Sequence, residues 1–463
     1  VKLKTVIKIV AIAFGILNLL NVQAETIDFE NTMQKALDNS FELKASTINI
    51  DISKSKIDST RSEYFPLVKS GLYSEYSQDM SANNQTEAVG NTVITPNTKI
   101  QSMLNTSVTY NIFDFGQRKR KMLMAKDDIE AKQSIYLIKR RDLKLNIIDL
   151  YSNVLIDFKE LMAKEQIHSI TSEIAVIKEK KYNEGTVTKL DKINSAIETA
   201  KLTNEIEDLR IKLAYSLRNL SYYTNEEYNA DEVVVSGFED RKNIPVQDTT
   251  PTLKDNNTIQ IEVKKQESIK PEEITLNLQF TPDYKSYQAK LDKKDKEIEL
   301  LDRNKLPKFG MYMNYTLMGK DENNILESLQ NFQNKNAAIG LSTTFVPFDG
   351  YKSAADKKRL KLEMKKIKLE RDQAMADLKN KYEKLNEEMI YYQRTSANSK
   401  YLLTLLADKL TELKAIAKTQ PDNCEDILNE QIKIISQQLE LEKKLINKDA
   451  AVKKYQIFSQ GIE

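Results

Sequence analysis

The chain has 463 residues, 30% of them charged, with 70 Lys and Arg against 68 Asp and Glu, and only 11 Gly and 9 Pro. Such a composition fits long helices better than a string of compact domains, and the mixing of both signs leaves no basic face for nucleic acid. Cys424 is the only cysteine, which excludes an internal disulfide and leaves stability to packing or assembly; it reads as a lone thiol with no designed role.

Residues 1–24 read as a secretory signal peptide. Lys2, Lys4 and Lys8 precede an apolar stretch from Ile9 to Leu20, and Val22-Gln23-Ala24 suits a signal peptidase. The stretch is shorter than the about 20 residues of a membrane-spanning helix, which favours a removed signal over an anchor. Glu25 and Thr26 stand where lipid attachment would need a cysteine, and no other segment is suited to span a membrane as a helix.

A first copy of a long unit is expected over 25–220. Its opening helix runs from about Asp28 to Glu63 and stops before Pro66. Two strands follow, Leu67 to Ser77 and Gln101 to Phe113, separated by a polar loop from Gln78 to Thr98. In the second strand Leu104, Thr106, Val108, Tyr110 and Ile112 alternate with polar residues, the period of a two-faced strand. Between Gly116 and Gly185 there are 68 residues without Gly or Pro, enough for a helix on the order of 100 Å long. Leu143, Ile147, Leu150, Val154, Phe158 and Leu161 step along it by four and three, as coiled-coil packing requires. A second rod returns from a reversal near Gly185, giving an antiparallel helical hairpin.

A polar connector is expected over 221–273, with Val233-Val234-Val235 as its one β-like patch. The second copy, 274–463, repeats the first: a charged helix from Tyr284 to Asn304, Pro307, and strands within 309–346. Phe309, Met311, Met313, Tyr315 and Leu317 share one strand face, and Ala337, Ile339, Leu341 and Phe345 another. A solvent-exposed polar loop is expected from Gly319 to Lys335. A second hairpin turns near Pro421, with Leu403, Leu406, Leu410 and Leu413 on its seam. Ile112-Phe113-Asp114-Phe115-Gly116 and Val346-Pro347-Phe348-Asp349-Gly350 introduce the two hairpins, about 235 residues apart.

Four amphipathic strands cannot stand alone, because two open edges leave backbone N–H and C=O groups unpaired and membrane barrels need about 8 strands or more. Closure therefore falls to assembly, with eight strands from two chains or twelve from three. Arithmetic alone does not choose between them.

Taken together, the duplicated helix, Pro, strand, loop, strand, Phe-Asp-Gly turn and hairpin resemble the TolC-like outer membrane efflux and secretion channels over nearly all of 25–463. Tyr182-Asn183-Glu184-Gly185 with Leu190-Asp191 at the first tip and the signal segment belong to the same likeness. It implies a mixed α and β membrane protein. Three chains would build a twelve-stranded barrel in the outer membrane and a tunnel of coiled-coil hairpins across the periplasm.

The resemblance also implies site residues. Hairpin tips close such a tunnel like an iris, and an acidic ring marks its narrowest point; Asp191-Lys192-Ile193-Asn194 aligns with Asp426-Ile427-Leu428-Asn429, which makes Asp426 the ring candidate. The plainer reading is a helix-capping aspartate, and both can hold at once. Gly185, Thr186, Val187, Leu190 and Asp191 match the region that docks a periplasmic adaptor; a turn glycine and apolar staples of the hairpin are the plainer reading there. The second tip departs from the pattern, with Gln420-Pro421-Asp422-Asn423-Cys424 in place of a turn with Gly, and Asn429 where a second acidic residue often stands.

His168 is the only histidine and lies inside a predicted helix, so neither a Ser-His-Asp arrangement nor a His-based metal site can be assembled. No catalytic, cofactor-binding or metal-binding residue is assigned. The expected function is a passive outer-membrane conduit for small toxic compounds, working as a homotrimer with a periplasmic adaptor and a proton-driven or ATP-driven inner-membrane pump. The exit duct of a protein-secretion system is the first alternative, and a periplasmic scaffold or adaptor without a pore is the second.

Overall fold

A computed structural model describes residues 25–76, 100–238, 278–321, 324–417 and 424–459. The signal segment, the loop expected at 78–98, most of the connector and the turn at Pro421 lie outside the described residues. The elements are β1 (Glu25–Ile27), α1 (Phe29–Asn39), α2 (Phe41–Ser62), β2 (Leu67–Tyr76), β3 (Ile100–Phe113), α3 (Gln117–Asn183), α4 (Lys189–Thr224) and β4 (Val233–Val235) in the first part of the chain. After a short turn of 3-10 helix at Leu278–Phe280 come α5 (Pro282–Arg303), β5 (Lys308–Asp321), α6 (Ile325–Gln330), β6 (Phe332–Thr344), α7 (Lys352–Ala417) and α8 (Cys424–Ser459). The chain is therefore mostly helical with a four-stranded sheet, as its periodicity predicts.

Two local features depart from expectation, and one expected β patch gains a partner. The helix expected from 28 to 63 is two helices, because Ser40 takes an extended ψ of 113° and its hydroxyl accepts from the Leu43 amide at 3.3 Å, ending α1 and capping α2 together. The Val233–Val235 patch is β4, which pairs in parallel with β1 through Glu25↔Val233 and Ile27↔Val235. Inside the polar loop expected from Gly319 to Lys335, β5 continues to Asp321, α6 forms, and β6 begins at Phe332.

Contacts group the chain into two compact units, each drawing on both sequence copies. One comprises Val1–Ala45, Tyr136–Thr281 and Met375–Glu463. Its core is a helical seam: Ile147, Ile148, Tyr151 and Val154 of α3 and Leu213, Leu217 and Leu220 of α4 are all but fully buried. Phe29, Tyr151 and Phe238 close its end, with ring centroids 4.9–5.4 Å apart. The Tyr151 hydroxyl donates to the carbonyls of Ser236 at 2.8 Å and Ile27 at 3.0 Å, which ties the β1–β4 ribbon to α3.

The other unit, Ser46–Ile135 and Pro282–Ala374, holds the main sheet. Its helices are joined largely by charge: Asp127 and Asp128 of α3 bind Lys296 and Lys293 of α5 at 2.6 Å each, and Arg120 binds Glu299 at 2.7 Å. The long helices begin at matched turns. Asp114 accepts from the Arg118 amide at 3.1 Å and Asp349 from the Ser353 amide at 2.9 Å, each carboxylate capping the helix four residues on. Both turns need two consecutive residues with positive φ, Phe115 and Gly116 in one, Gly350 and Tyr351 in the other. The aspartate, rather than the glycine, is thus the residue that corresponds between the copies.

Candidate functional site

The main sheet has strand order β2-β3-β5-β6, antiparallel throughout. Register sorts its side chains into two faces. On one face the row Val68–Val108–Met313–Ile339 crosses all four strands, and Leu72–Leu104–Leu317 runs beside it. The facing rows are Lys69–Ser107–Asn314–Ala338 and Gly71–Asn105–Thr316–Asn336. The apolar face is not covered by packing: Val68, Met313 and Ile339 are 62%, 48% and 73% exposed. An exposed apolar sheet face of this extent marks a surface made for contact with lipid or another protein. On the polar face the Thr316 hydroxyl donates to the Asn105 side-chain oxygen at 3.2 Å.

Strands of 10 to 14 residues match or exceed the roughly 9–11 that a tilted membrane strand needs. Aromatic side chains gather where the strands meet the helices, with Tyr64, Phe65, Phe345 and Phe348 each at least 40% exposed, in the manner of an interfacial girdle. No described helix is long and apolar enough to cross a membrane.

At the first tip, α3 ends in a Schellman motif. Gly185 takes φ 77°, its amide donates to the Tyr182 carbonyl at 3.0 Å, and the Thr186 amide donates to the Lys181 carbonyl at 2.9 Å. Thr188 caps α4 in a capping box with Asp191, whose carboxylate receives both the Thr188 amide at 3.1 Å and its hydroxyl at 2.6 Å. These bonds hold the Asp191 carboxyl below its ordinary range. Gly185, Thr186 and Leu190 are exposed, while Val187 and Asp191 are half-buried. Leu190, Ile193 and Ile197 make an exposed apolar stripe on α4, at 65%, 45% and 47% exposure. Of the three only Leu190 was expected from the sequence; the spacing of three and four residues is the helical signal that could have found Ile193 and Ile197.

Asp426 is exposed and is the third residue of α8, as Asp191 is the third residue of α4, so the two occupy matching turns. Two charged contacts near this end were not evident in the sequence. Lys178 of α3 lies 3.0 Å from Glu425 of α8. Glu430, only 2% exposed, takes Lys409 of α7 at 2.8 Å and Lys433 at 3.3 Å on one carboxylate oxygen. The Lys409 bond is the main cause that lowers its pKa. Cys424 is exposed. His168 Nε2 lies 3.1 Å from the Thr203 hydroxyl across the hairpin, a packing contact. Among the described residues no group of three His, Cys, Asp or Glu side chains is arranged to hold a metal ion.

Residues 32–226 match the family model described as outer membrane efflux protein. No curated protein matches the sequence. Among solved structures, the transmembrane channel protein CusC is similar at 12% identity and TM-score 0.71, over 94% of this chain and 92% of that one. The Campylobacter jejuni CmeC outer membrane channel is similar at 13% identity and TM-score 0.71, over 94% and 85%. The Vibrio cholerae outer membrane protein VceC follows at 11% identity and TM-score 0.64, over 92% and 95%. The first copy is thus similar in sequence to the outer membrane efflux proteins, and the chain shares the fold of these channel structures across both copies.

Proposed function

We propose that this chain is the outer-membrane component of a tripartite efflux system, a passive homotrimeric conduit for small toxic compounds. The observation that carries the reading is the main sheet, with one exposed apolar face, one polar face and two unpaired edges, β2 and β6. In a membrane an open edge is prohibitively costly, so the sheet closes only with other copies of itself, and three copies give twelve strands. The apolar face then meets lipid and the polar face lines water. Hairpins with apolar seams supply the walls of a periplasmic tunnel, and their tips meet a periplasmic adaptor.

An inner-membrane pump drives transport, and this chain opens or closes. Opening is a two-state rearrangement of the hairpins, biased by whichever state the adaptor binds better. The acidic ring at the tip is assigned to Asp426, a reading supported by its position matching that of Asp191.

The test is energised efflux of a fluorescent dye from cells lacking the gene, with and without a plasmid copy, together with membrane fractionation. Slower efflux that the plasmid restores, with the protein in the outer membrane, supports drug export. Unchanged efflux with loss of a secreted protein replaces it with the secretion duct, and a protein recovered only from the soluble periplasm replaces both with a scaffold.

A further inference from the structure

Helix α6, six residues between β5 and β6, does not project as a loop. Asn324 caps it, with its side-chain oxygen accepting from the Leu326 amide at 2.9 Å, and it folds back onto the sheet. The Ser328 hydroxyl donates to the Ser102 hydroxyl at 2.6 Å, and Ser102 in turn lies 2.9 Å from Ser74 Oγ. Ser102 and Ser328 are both fully buried.

Strand register fixes which face this is. Ser102 shares its face with Leu104 and Val108, and its partner Gly319 shares that face with Leu317. The helix therefore sits on the apolar face, one residue pair beyond Leu104–Leu317. The seat is built for it: a Cβ on Gly319 would lie 1.8 Å from the Ser328 carbonyl oxygen, so only glycine admits α6 at this position.

From Phe309 to Leu317 the apolar face extends about 26 Å along β5 at 3.3 Å per residue, which a barrel tilt of about 40° reduces to roughly the height of an apolar membrane band. Helix α6 lies just past its end, on the side away from the long helices of this unit. Tyr76, 58% exposed, is on the same face at the same level, paired with Ile100. At 100° per residue Ile325, Leu326 and Leu329 fall within an arc of about 100°, with Glu327 and Gln330 outside it. Ile325 and Leu326 are nevertheless 50% and 66% exposed.

We infer that α6 is an interfacial lipid anchor. It lies in the lipid surface at the outer rim of the barrel, with Ile325 and Leu326 at the acyl boundary and Glu327 and Gln330 among headgroups and water. The occupant of this patch is the bilayer, because the patch continues the face that bears Leu104, Val108 and Leu317. The inference rests on the lipid-facing reading of that face.

The chain contains no tryptophan, so a single introduced Trp reports on its own site. The full-length protein carrying Leu326→Trp is reconstituted in phosphatidylcholine vesicles, with plain or brominated acyl chains. Ile339→Trp, in the middle of β6 on the apolar face, and Asn336→Trp, on the polar face, serve as references. The expected result is loss of Leu326→Trp emission in brominated lipid, strongest with bromine near the headgroup end of the chain, and a blue shift relative to Asn336→Trp. A Leu326→Trp signal that brominated lipid leaves intact while Ile339→Trp is quenched overturns the inference. Acrylamide quenching would then assign the helix to water, and a blue-shifted, shielded signal to another copy of the chain. If Ile339→Trp also escapes quenching, the lipid-facing reading of the sheet fails first.

Discussion

Lys178 and Glu425 join two parts of the chain that are far apart in sequence: the ammonium, near the end of α3, lies 3.0 Å from the carboxylate in the first turn of α8. Both side chains are about a quarter exposed, so the pair is less screened than a surface bridge but not dry. If the tips move apart on opening, this contact is made in one state only. An ion pair of about 0.5–1 kcal/mol shifts a two-state ratio about two- to five-fold. Lys178→Glu is expected to raise the open probability of the reconstituted channel by at least that factor in single-channel recordings, and the exchanged pair Lys178→Glu with Glu425→Lys to restore closure. Equal open probabilities for all three proteins would remove the contact from the gate.

Asp426 supplies a separate prediction about selectivity. In the proposed trimer three symmetry-related Asp426 carboxylates at a constriction attract cations. Asp426→Ala is expected to lower the cation-to-anion permeability ratio in planar bilayers. Asp191, whose carboxylate is already engaged by Thr188, serves as the contrast: Asp191→Ala loosens the capping box at the start of α4 and leaves selectivity alone. Should the two variants behave alike, Asp426 is a cap and nothing more.

Glu430 makes the second hairpin sensitive to acid. Its buried carboxylate is held by Lys409 across the hairpin and by Lys433 one turn along α8. Lys409→Met removes the stronger contact and leaves a buried charge with one exposed partner, at an expected cost of about 1–2 kcal/mol per chain. The folded pKa is lowered, so the stabilisation is fully present above the unfolded value of about 4.3 and disappears as pH falls through the folded one. Thermal melting of the detergent-solubilised protein should show the wild type ahead of Lys409→Met at pH 7 and the gap closing below about pH 4.

Tyr151 is the alkaline counterpart. Burial drives its hydroxyl up to about 12, against about 10 for an exposed tyrosine. A raised folded value means that the neutral anchor contributes fully below about pH 10 and is lost between there and about 12. Tyr151→Phe leaves the Ser236 carbonyl without this donor, while the Ile27 carbonyl keeps the Ser236 amide at 3.0 Å. The expected loss at pH 7 is about 1–2 kcal/mol, read as a lower melting temperature, with wild type and variant converging at pH 11 and above.

These groups divide by how much of their environment lies nearby in sequence. The long helices, the seam through Leu143, Ile147, Val154 and Leu161, and the alternation of Leu104 with its neighbours were legible because helical and strand periods are local. Gly185 was legible for the same reason, since only its φ had to be guessed. Ser40 hid the break between α1 and α2 because serine is tolerated within helices and favoured at their caps. The partners of Glu430 and Lys178 come from other helices, 21 and 247 positions away, and no periodicity encodes them. Helix α6 was missed because six residues are too few to show a period, and because its polar flanks read as loop.

Gly319 offers the sharpest substitution in the sheet. It stands in β5 opposite Ser102, and the carbonyl of Ser328 occupies the space where its side chain would be. Elsewhere in a strand Gly→Ala stabilises slightly, since alanine restricts the unfolded chain more and suits extended backbone. Here the methyl group must push α6 off the sheet or distort β5. Gly319→Ala is therefore expected to free the Ser328–Ser102 hydrogen bond and expose Ile100, now 5% exposed, while the row Val68–Val108–Met313–Ile339 stays paired. Limited proteolysis should show new cleavage between Asn324 and Asn331 in the folded, membrane-inserted protein, with the helical hairpins as resistant as before. Resistance in this segment equal to the wild type would mean that α6 does not depend on its glycine seat.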